Sequence, residues 1–464
     1  MPGPRRNPAL LLAALAALLV VASAAPAAVA GRAMGPGATT FAPAPGPATS
    51  AIEPGSVGRS SLDVRATYAT TLRLSYGTRR FAVHSAATIT NMSDGPIDRV
   101  ELNTAAARLG SLKLTSSLVD GRAVAARISD QTIIVPLGGI LPSGATTVVR
   151  VKYTATLRTS LSGSSWLFTK AHGIVNAYRW LPWVSRRTPF DRPNHGDPFV
   201  TTTSPFVRLT VITDRKLVIA TSGDRVFRSA DGRTQRFEAR DVRDMTVSAA
   251  PDFRTRATKV GDTTIRYYYR SSANAAATLD AASRAFRSIQ ARLGDYPYPT
   301  FNVVQSAGGY GMESPRMIWI PYGVSSTNLR YLVAHETAHQ WFYGMVGNDQ
   351  ARQPFADEAA ADFVARYVTG TKRSSRCPTG RLDRTIYEYT ARCYYEKVYI
   401  QGGNLIDAAR RAMGSTAFWA ALRRYVEVQR GGLVRNVTLL QALDDATPLD
   451  LGRRLFAARF PRDY

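Results

Sequence analysis

Cysteine is scarce in this 464-residue chain: only Cys377 and Cys393 occur. That leaves room for at most one disulfide, which an oxidising compartment favours and which, closing a short loop, contributes about 3 kcal/mol. Its place between Glu358 and Tyr399 predicts that it stiffens the wall of any site built there. Histidine is equally sparse, at five residues. Acidic residues number 34 against 59 basic ones, a net charge of +25, so anionic surroundings are favoured. The cations are scattered along the sequence instead of clustering with aromatics, and no nucleic-acid motif is present. Nucleic acid is therefore not an expected partner, whereas weak association with an anionic cell-wall or membrane surface is. Beyond the first thirty residues no long apolar run occurs, which excludes a bundle of membrane-spanning helices.

What is present reads as an ordered series. Arg5 and Arg6, an apolar run from Ala9 to Val21 and small residues up to Ala30 have the layout of a secretory signal, residues 1–30, without a nearby cysteine for lipid attachment. An uncleaved anchor is the competing reading, because the run approaches the lower limit of about 17 residues for a bilayer span. Residues 31–59, rich in Ala, Pro and Gly, predict a disordered tether.

Residues 60–250 predict an antiparallel β domain, a sandwich or saddle. Apolar alternation at Thr71–Ser75, Phe81–Ile89, Thr132–Pro136 and Thr147–Tyr153 is broken by turn signals such as Asp120-Gly121. Ala177–Trp183 reads as a loop whose aromatics pack between sheets. From residue 251 to 464 the pattern changes to strands and then helices, an α+β domain. Here Ser272–Leu293 predicts a helix stopped by Gly294, flanked by strands near Thr264–Tyr269 and Asn302–Gln305.

The densest chemistry lies in His335-Glu336-Thr337-Ala338-His339, followed after eighteen residues by Glu358. Histidines four apart on a helix share a face and can grip one cation, with Glu336 beside the remaining coordination position. Two imidazoles and a carboxylate suit Zn2+, one per chain, with a fourth position left for water. Such a metal lowers the pKa of its water from about 15.7 toward 7, where Glu336 can accept the proton. The helix is expected to open near Ser326–Asn328 and stop at Gly344. A second opens after Pro354, carries Glu358 in its first turn and ends at Gly370.

In order along the chain, Tyr296–Pro299, Gly311-Met312-Glu313-Ser314-Pro315, Met317–Ile320, His335–Phe342, Asp357-Glu358 and Tyr399–Gly403 resemble the motifs of the aminopeptidase N family of zinc metallopeptidases. The resemblance spans roughly residues 60–460. It implies an N-terminal β domain on a thermolysin-like, mainly helical zinc domain, without the family's large C-terminal helical domain. It also implies hydrolysis of residues from peptides with a free N-terminus.

Residue by residue, it implies His335, His339 and Glu358 as metal ligands, Glu336 as base and then acid, and Tyr399 as the oxyanion donor, with Tyr395 as the alternative. Glu313, on a loop beside an edge strand at Met317–Ile320, would bind the substrate amine, while Gly311 and Met312 would let the substrate backbone approach in extended form. Asp362 could orient a ligand histidine, as in thermolysin. Ser314, Ala359 and Gln401 depart from the family pattern, which puts pocket shape in question. Two alternatives accompany this reading: a zinc endopeptidase, and a non-catalytic basic binding protein on the same fold.

Overall fold

The computed structural model describes residues 51–321 and 323–464, and these belong to one compact unit. The predicted signal and most of the predicted tether lie outside the described residues. Residues 51–59 of that tether are pinned, however. Glu53 exchanges backbone hydrogen bonds of 2.9 and 2.8 Å with Ile140, and the Asp98 carboxylate accepts from Ser56 Oγ and the N–H groups of Val57, Gly58 and Arg59.

Residues 64–250 build three sheets, in the region where an antiparallel sandwich or saddle was expected. The largest has eight strands, and its central members, Val64–Ser75, Arg80–Asn91 and Thr146–Thr156, alternate strictly between buried and outward side chains. It is not purely antiparallel: Val64–Ser75 pairs parallel with Val207–Thr213. Two four-stranded sheets pack against its inner face, one centred on Ile174–Ala177 and Val247–Ala250, the other on Ile97–Asn103 and Thr132–Leu141. The aromatics of 177–183 fill the space between them, as the sequence suggested. Trp183 stacks on Tyr68 with centroids 4.2 Å apart, Trp180 sits edge-on to Phe81, and both indoles donate to backbone carbonyls. Buried indoles must satisfy that N–H, so these bonds fix their orientation as well as their burial.

After residue 250 comes a five-stranded sheet in the order Arg254–Val260, Thr263–Tyr269, Thr300–Ser306, Met317–Pro321, Met312–Ser314. Its middle three strands run parallel. The helix that crosses from the second to the third of these strands, Ala275–Leu293, buries Thr278, Ala281, Ala282, Ala285, Phe286 and Ile289. That is the three-and-four spacing of an amphipathic helix. Gly294, at φ 97°, ends it by donating its N–H to Gln290. The remainder is mainly helical; most of its core residues join the same apolar cluster as the sheets, while Ala351, Ile386, Tyr389, Tyr394 and Val398 form a second one. Among the described residues no helix is long and apolar enough to cross a membrane.

Candidate active site

The helix that bears the two histidines begins where Ser325 leaves extended backbone and runs Ser326–Ala338. It stops at His339, which caps it, and not at Gly344 as the sequence suggested. Gly344 instead closes the next turn, donating to the His339 carbonyl at 2.8 Å. Both histidines still face one way, with their Nε2 atoms 3.2 Å apart. His339 Nδ1 lies 3.1 Å from the Phe342 carbonyl. Donation there holds the ring in the tautomer whose Nε2 carries the lone pair.

Glu358 arrives on the next helix, through a π-helical turn, Phe355–Ala359, that precedes the regular stretch Ala360–Thr369. A π turn widens the backbone by one residue and rotates the helix beyond it, a device common at functional sites. Glu358 Oε2 lies 3.3 Å from each Nε2. Three buried, lone-pair-bearing atoms thus form a near-equilateral triangle with edges of 3.2 to 3.3 Å. A tetrahedral zinc with ligands at about 2.0–2.1 Å separates those ligands by about 3.3–3.4 Å. The residues present therefore fit zinc. The imidazoles hold the Glu358 carboxyl well below its ordinary range in spite of its burial.

Around the triangle lies a cleft of about 750 Å³, lined by Gly311, Met312, Glu313, His335, Glu336, His339, Glu358 and Tyr399 among others. Every residue given a metal-binding, catalytic or substrate-binding role from sequence lines it, whereas Asp362 does not. Met312–Ser314 is itself the edge strand, with Met317–Pro321 one strand further in, which corrects the expected loop position of Glu313. Gly311 precedes that strand, and a Cβ there would collide with the Glu336 carboxylate and come within 2.8 Å of Leu332. Glycine is thus required for Glu336 to occupy its position. Burial drives the Glu336 carboxyl well above its usual range, with Glu313 and Glu358 adding to the effect. Glu313, His339 and Glu336 also converge, each with a polar atom within 4.8 Å of the others.

Tyr399 stands on a second π-helical turn, Glu396–Gln401. Its ring stacks on His335 at 5.5 Å and its phenol interacts with Glu358. Burial and that carboxylate keep the hydroxyl protonated far above neutrality. Tyr395 differs: its ring is exposed, and its hydroxyl accepts from Arg373. Cys377 and Cys393 are disulfide-bonded. The backbone N–H of Cys377 donates to Glu396 and its carbonyl accepts from Gln401, so the bridge braces the turn that carries Tyr399. Asp362 does not orient a histidine. Tyr331 donates to it at 2.5 Å and Arg366 pairs with it at 2.7 Å, while Tyr331 itself stacks on His335.

Several site residues escaped the sequence reading. Gln350 donates from one amide nitrogen to Glu313 at 2.8 Å and to Asp357 at 3.1 Å, and its oxygen accepts from Arg179 at 3.0 Å. Arg179 is buried in the aromatic segment, at φ 43°, so the β region reaches into the cleft through this chain of contacts. Asp197, from the irregular stretch 185–204, lines the same cleft and pairs with Arg192 at 2.9 Å. Burial first, and then Glu313 and Glu358, push its carboxyl up to about 7.

No protein-family model matches the chain, nor does any curated protein sequence. Solved structures do. A glutamate-to-alanine mutant of an M1 zinc metallopeptidase from Deinococcus radiodurans has a TM-score of 0.67 at 20% identity, over 89% of this chain and 97% of that one. The same kind of mutant with a Tyr-Ser-Ala substrate gives 0.66 at 19% identity, again over 89% and 97%. A mutant two-domain M1 zinc metallopeptidase bound to L-arginine gives 0.63 at 20% identity, over 88% and 95%. At such identities the likeness is one of architecture: this chain has the fold of M1 zinc metallopeptidases across nearly its whole described length.

Proposed function

We propose that the protein is a secreted zinc aminopeptidase of the M1 type, with residues 60–250 as its β domain and 251–464 as its catalytic domain. The observation that carries the reading is the convergence of the His335–His339–Glu358 triangle, Glu336 and Glu313 in one cleft. His335, His339 and Glu358 would hold the zinc, which when bound would supply the Lewis acidity that makes water nucleophilic at neutral pH. Glu336, kept proton-hungry by burial, takes the water's proton and returns it to the leaving amine. Tyr399 donates its hydroxyl to the carbonyl oxygen as that oxygen becomes negative, a contact of the kind worth about 3 kcal/mol in the transition state.

Specificity for the chain end comes from carboxylates. Glu313, with Asp197 beside it, offers negative charge to a substrate ammonium. The edge strand Met312–Ser314 has one unpaired side along which an extended peptide can lie. Charge on the ammonium offsets the cost of burying these acids together, which is unfavourable when nothing cationic is bound. The disulfide supports an oxidising compartment and hence export.

The test is hydrolysis of aminoacyl-coumarin amides by the zinc-loaded protein, with and without chelator and with the amine acetylated. Release that is abolished by chelation and by acetylation supports an aminopeptidase. Cleavage confined to internal bonds of blocked peptides makes it an endopeptidase, and absence of turnover on any peptide, with anionic polymer still bound by Glu336→Gln, makes it a binding protein.

A further inference from the structure

The cations that look scattered in sequence are not scattered in space. Along each strand of the eight-stranded sheet every second side chain points outward, so residues far apart in the chain share one face. Registers align them. Arg236, Thr210, Thr71, His84 and Lys152 form one row across the strands. Glu238, Arg208, Ala69, Ala86 and Arg150 form the next, and Ile212, Arg73, Ala82, Thr154 and Lys113 a third. Six lysines and arginines thus stand within about 24 by 13 Å, from strand spacings of about 4.8 Å and outward repeats of about 6.6 Å. The one carboxylate among these rows, Glu238, is taken by Arg208 at 3.0 Å.

Composition alone does not produce this. Overall the chain has 59 basic residues to 34 acidic, and a number of arginines elsewhere are ion-paired, as with Asp224, Asp349, Asp407 and Glu388. Of the six cations on this face only Arg208 stands in an ion pair among the described residues. His84 is held below its ordinary pKa by partial burial and by Lys152 and Arg73. Between the cations lie alanines and threonines, small enough for a planar partner to reach every charge. Ile212 is the one large apolar side chain in these rows and exposed Phe227, the partner of Arg236, borders them, so the face offers neither a series of rings for stacking on bases nor an apolar wedge. The patch spans six strands, far broader than a single extended polymer. Its opposite side packs on Trp180 and Trp183, and none of its strands lines the cleft, so a partner on the outer face does not cover the active site.

We propose that the outer face of the eight-stranded sheet docks electrostatically on an anionic lipid surface, without insertion. The experiment is co-sedimentation of the full chain with phosphatidylglycerol-containing vesicles and with pure phosphatidylcholine vesicles, at about 0.1 M salt and again at about 1 M, where screening shortens to about 3 Å. Each cation near such a surface changes affinity about fivefold. Binding should require phosphatidylglycerol, vanish at high salt and fall about 25-fold in Arg150→Gln/Lys152→Gln, and again in Arg73→Gln/Lys113→Gln. A control that removes equal charge elsewhere, Arg453→Gln/Arg454→Gln, should bind as the parent does. All variants carry the same N-terminus, so any contribution from it cancels, and unchanged melting temperatures show that they are folded. Equal binding by parent and face variants overturns the proposal, as does equal binding to pure phosphatidylcholine. Retention of soluble polyphosphate without vesicle binding also overturns it, assigning the face to a dissolved polyanion.

Discussion

Replacing Tyr399 by Phe separates its proposed chemical role from its structural one. The ring stacks on His335 at 5.5 Å and lies 4.7 Å from Tyr395, contacts that Phe retains. The lost oxygen is hydrogen-bonded to Glu358 in the resting protein, so folding stability should fall by no more than about 3 kcal/mol, the upper worth of a hydrogen bond to a charged group. Zinc content should stay at one per chain. Catalysis should suffer far more: removing a donor to a developing oxyanion lowers kcat about 100- to 1,000-fold, or about 2.7–4 kcal/mol, with KM little changed. Because Tyr399 titrates far above neutrality, the loss should be constant from about pH 6 to 9. Tyr395→Phe, which removes a hydroxyl engaged by Arg373, should leave kcat near that of the parent. The assay is steady-state hydrolysis of an aminoacyl amide with zinc measured on the same samples. A kcat reduced less than about tenfold in the zinc-loaded Tyr399→Phe protein would refute the oxyanion role.

Individual contacts set the outcome of other perturbations. Gly311→Ala introduces a methyl into the Glu336 carboxylate, so turnover should drop at least about tenfold while zinc stoichiometry and melting temperature hold; unchanged kcat contradicts the crowding. Cys377→Ser/Cys393→Ser should lose about 3 kcal/mol in denaturant unfolding, with a lower kcat because the turn bearing Tyr399 loses its brace. Equal unfolding midpoints would remove that role. Arg462 holds the Glu388 carboxyl down to about 2 from 4.5, so this pair stabilises the fold above pH 4.5 and the contribution disappears as pH falls toward 2. The exposed setting makes the effect small. Arg462→Met should flatten that part of the melting-temperature profile, and an unaltered acid limb argues against it.

Much of the site was legible because its signals are local. His335 and His339 share a face through helical spacing alone, and Pro354 and Gly370 bracket the segment that carries Glu358. The strands were legible where one face is buried, as in Val64–Ser75, and the crossover helix where Gly294 ends it. What failed depends on contacts distant in sequence. Nothing near Val64 indicates that Val207–Thr213 pairs with it in parallel. Gln350 and Arg179 meet 171 positions apart, and Asp197 reaches the cleft from a stretch without periodicity. Asp362 was misassigned because one helical turn of spacing does not reveal that Tyr331 and Arg366 occupy it. The basic face is an intermediate case. Its period of two is present in each strand, but only the registers gather the strands' cations into one patch.

The claim on which the rest depends is that His335, His339 and Glu358 hold a single zinc ion. X-ray absorption on the zinc-reconstituted protein, paired with elemental analysis, measures it most directly. The account predicts one zinc per chain with two imidazole nitrogens and oxygen ligands at about 2.0–2.2 Å, and loss of stoichiometric binding in His339→Ala. Zinc absent after reconstitution, or a first shell without imidazole, would contradict it.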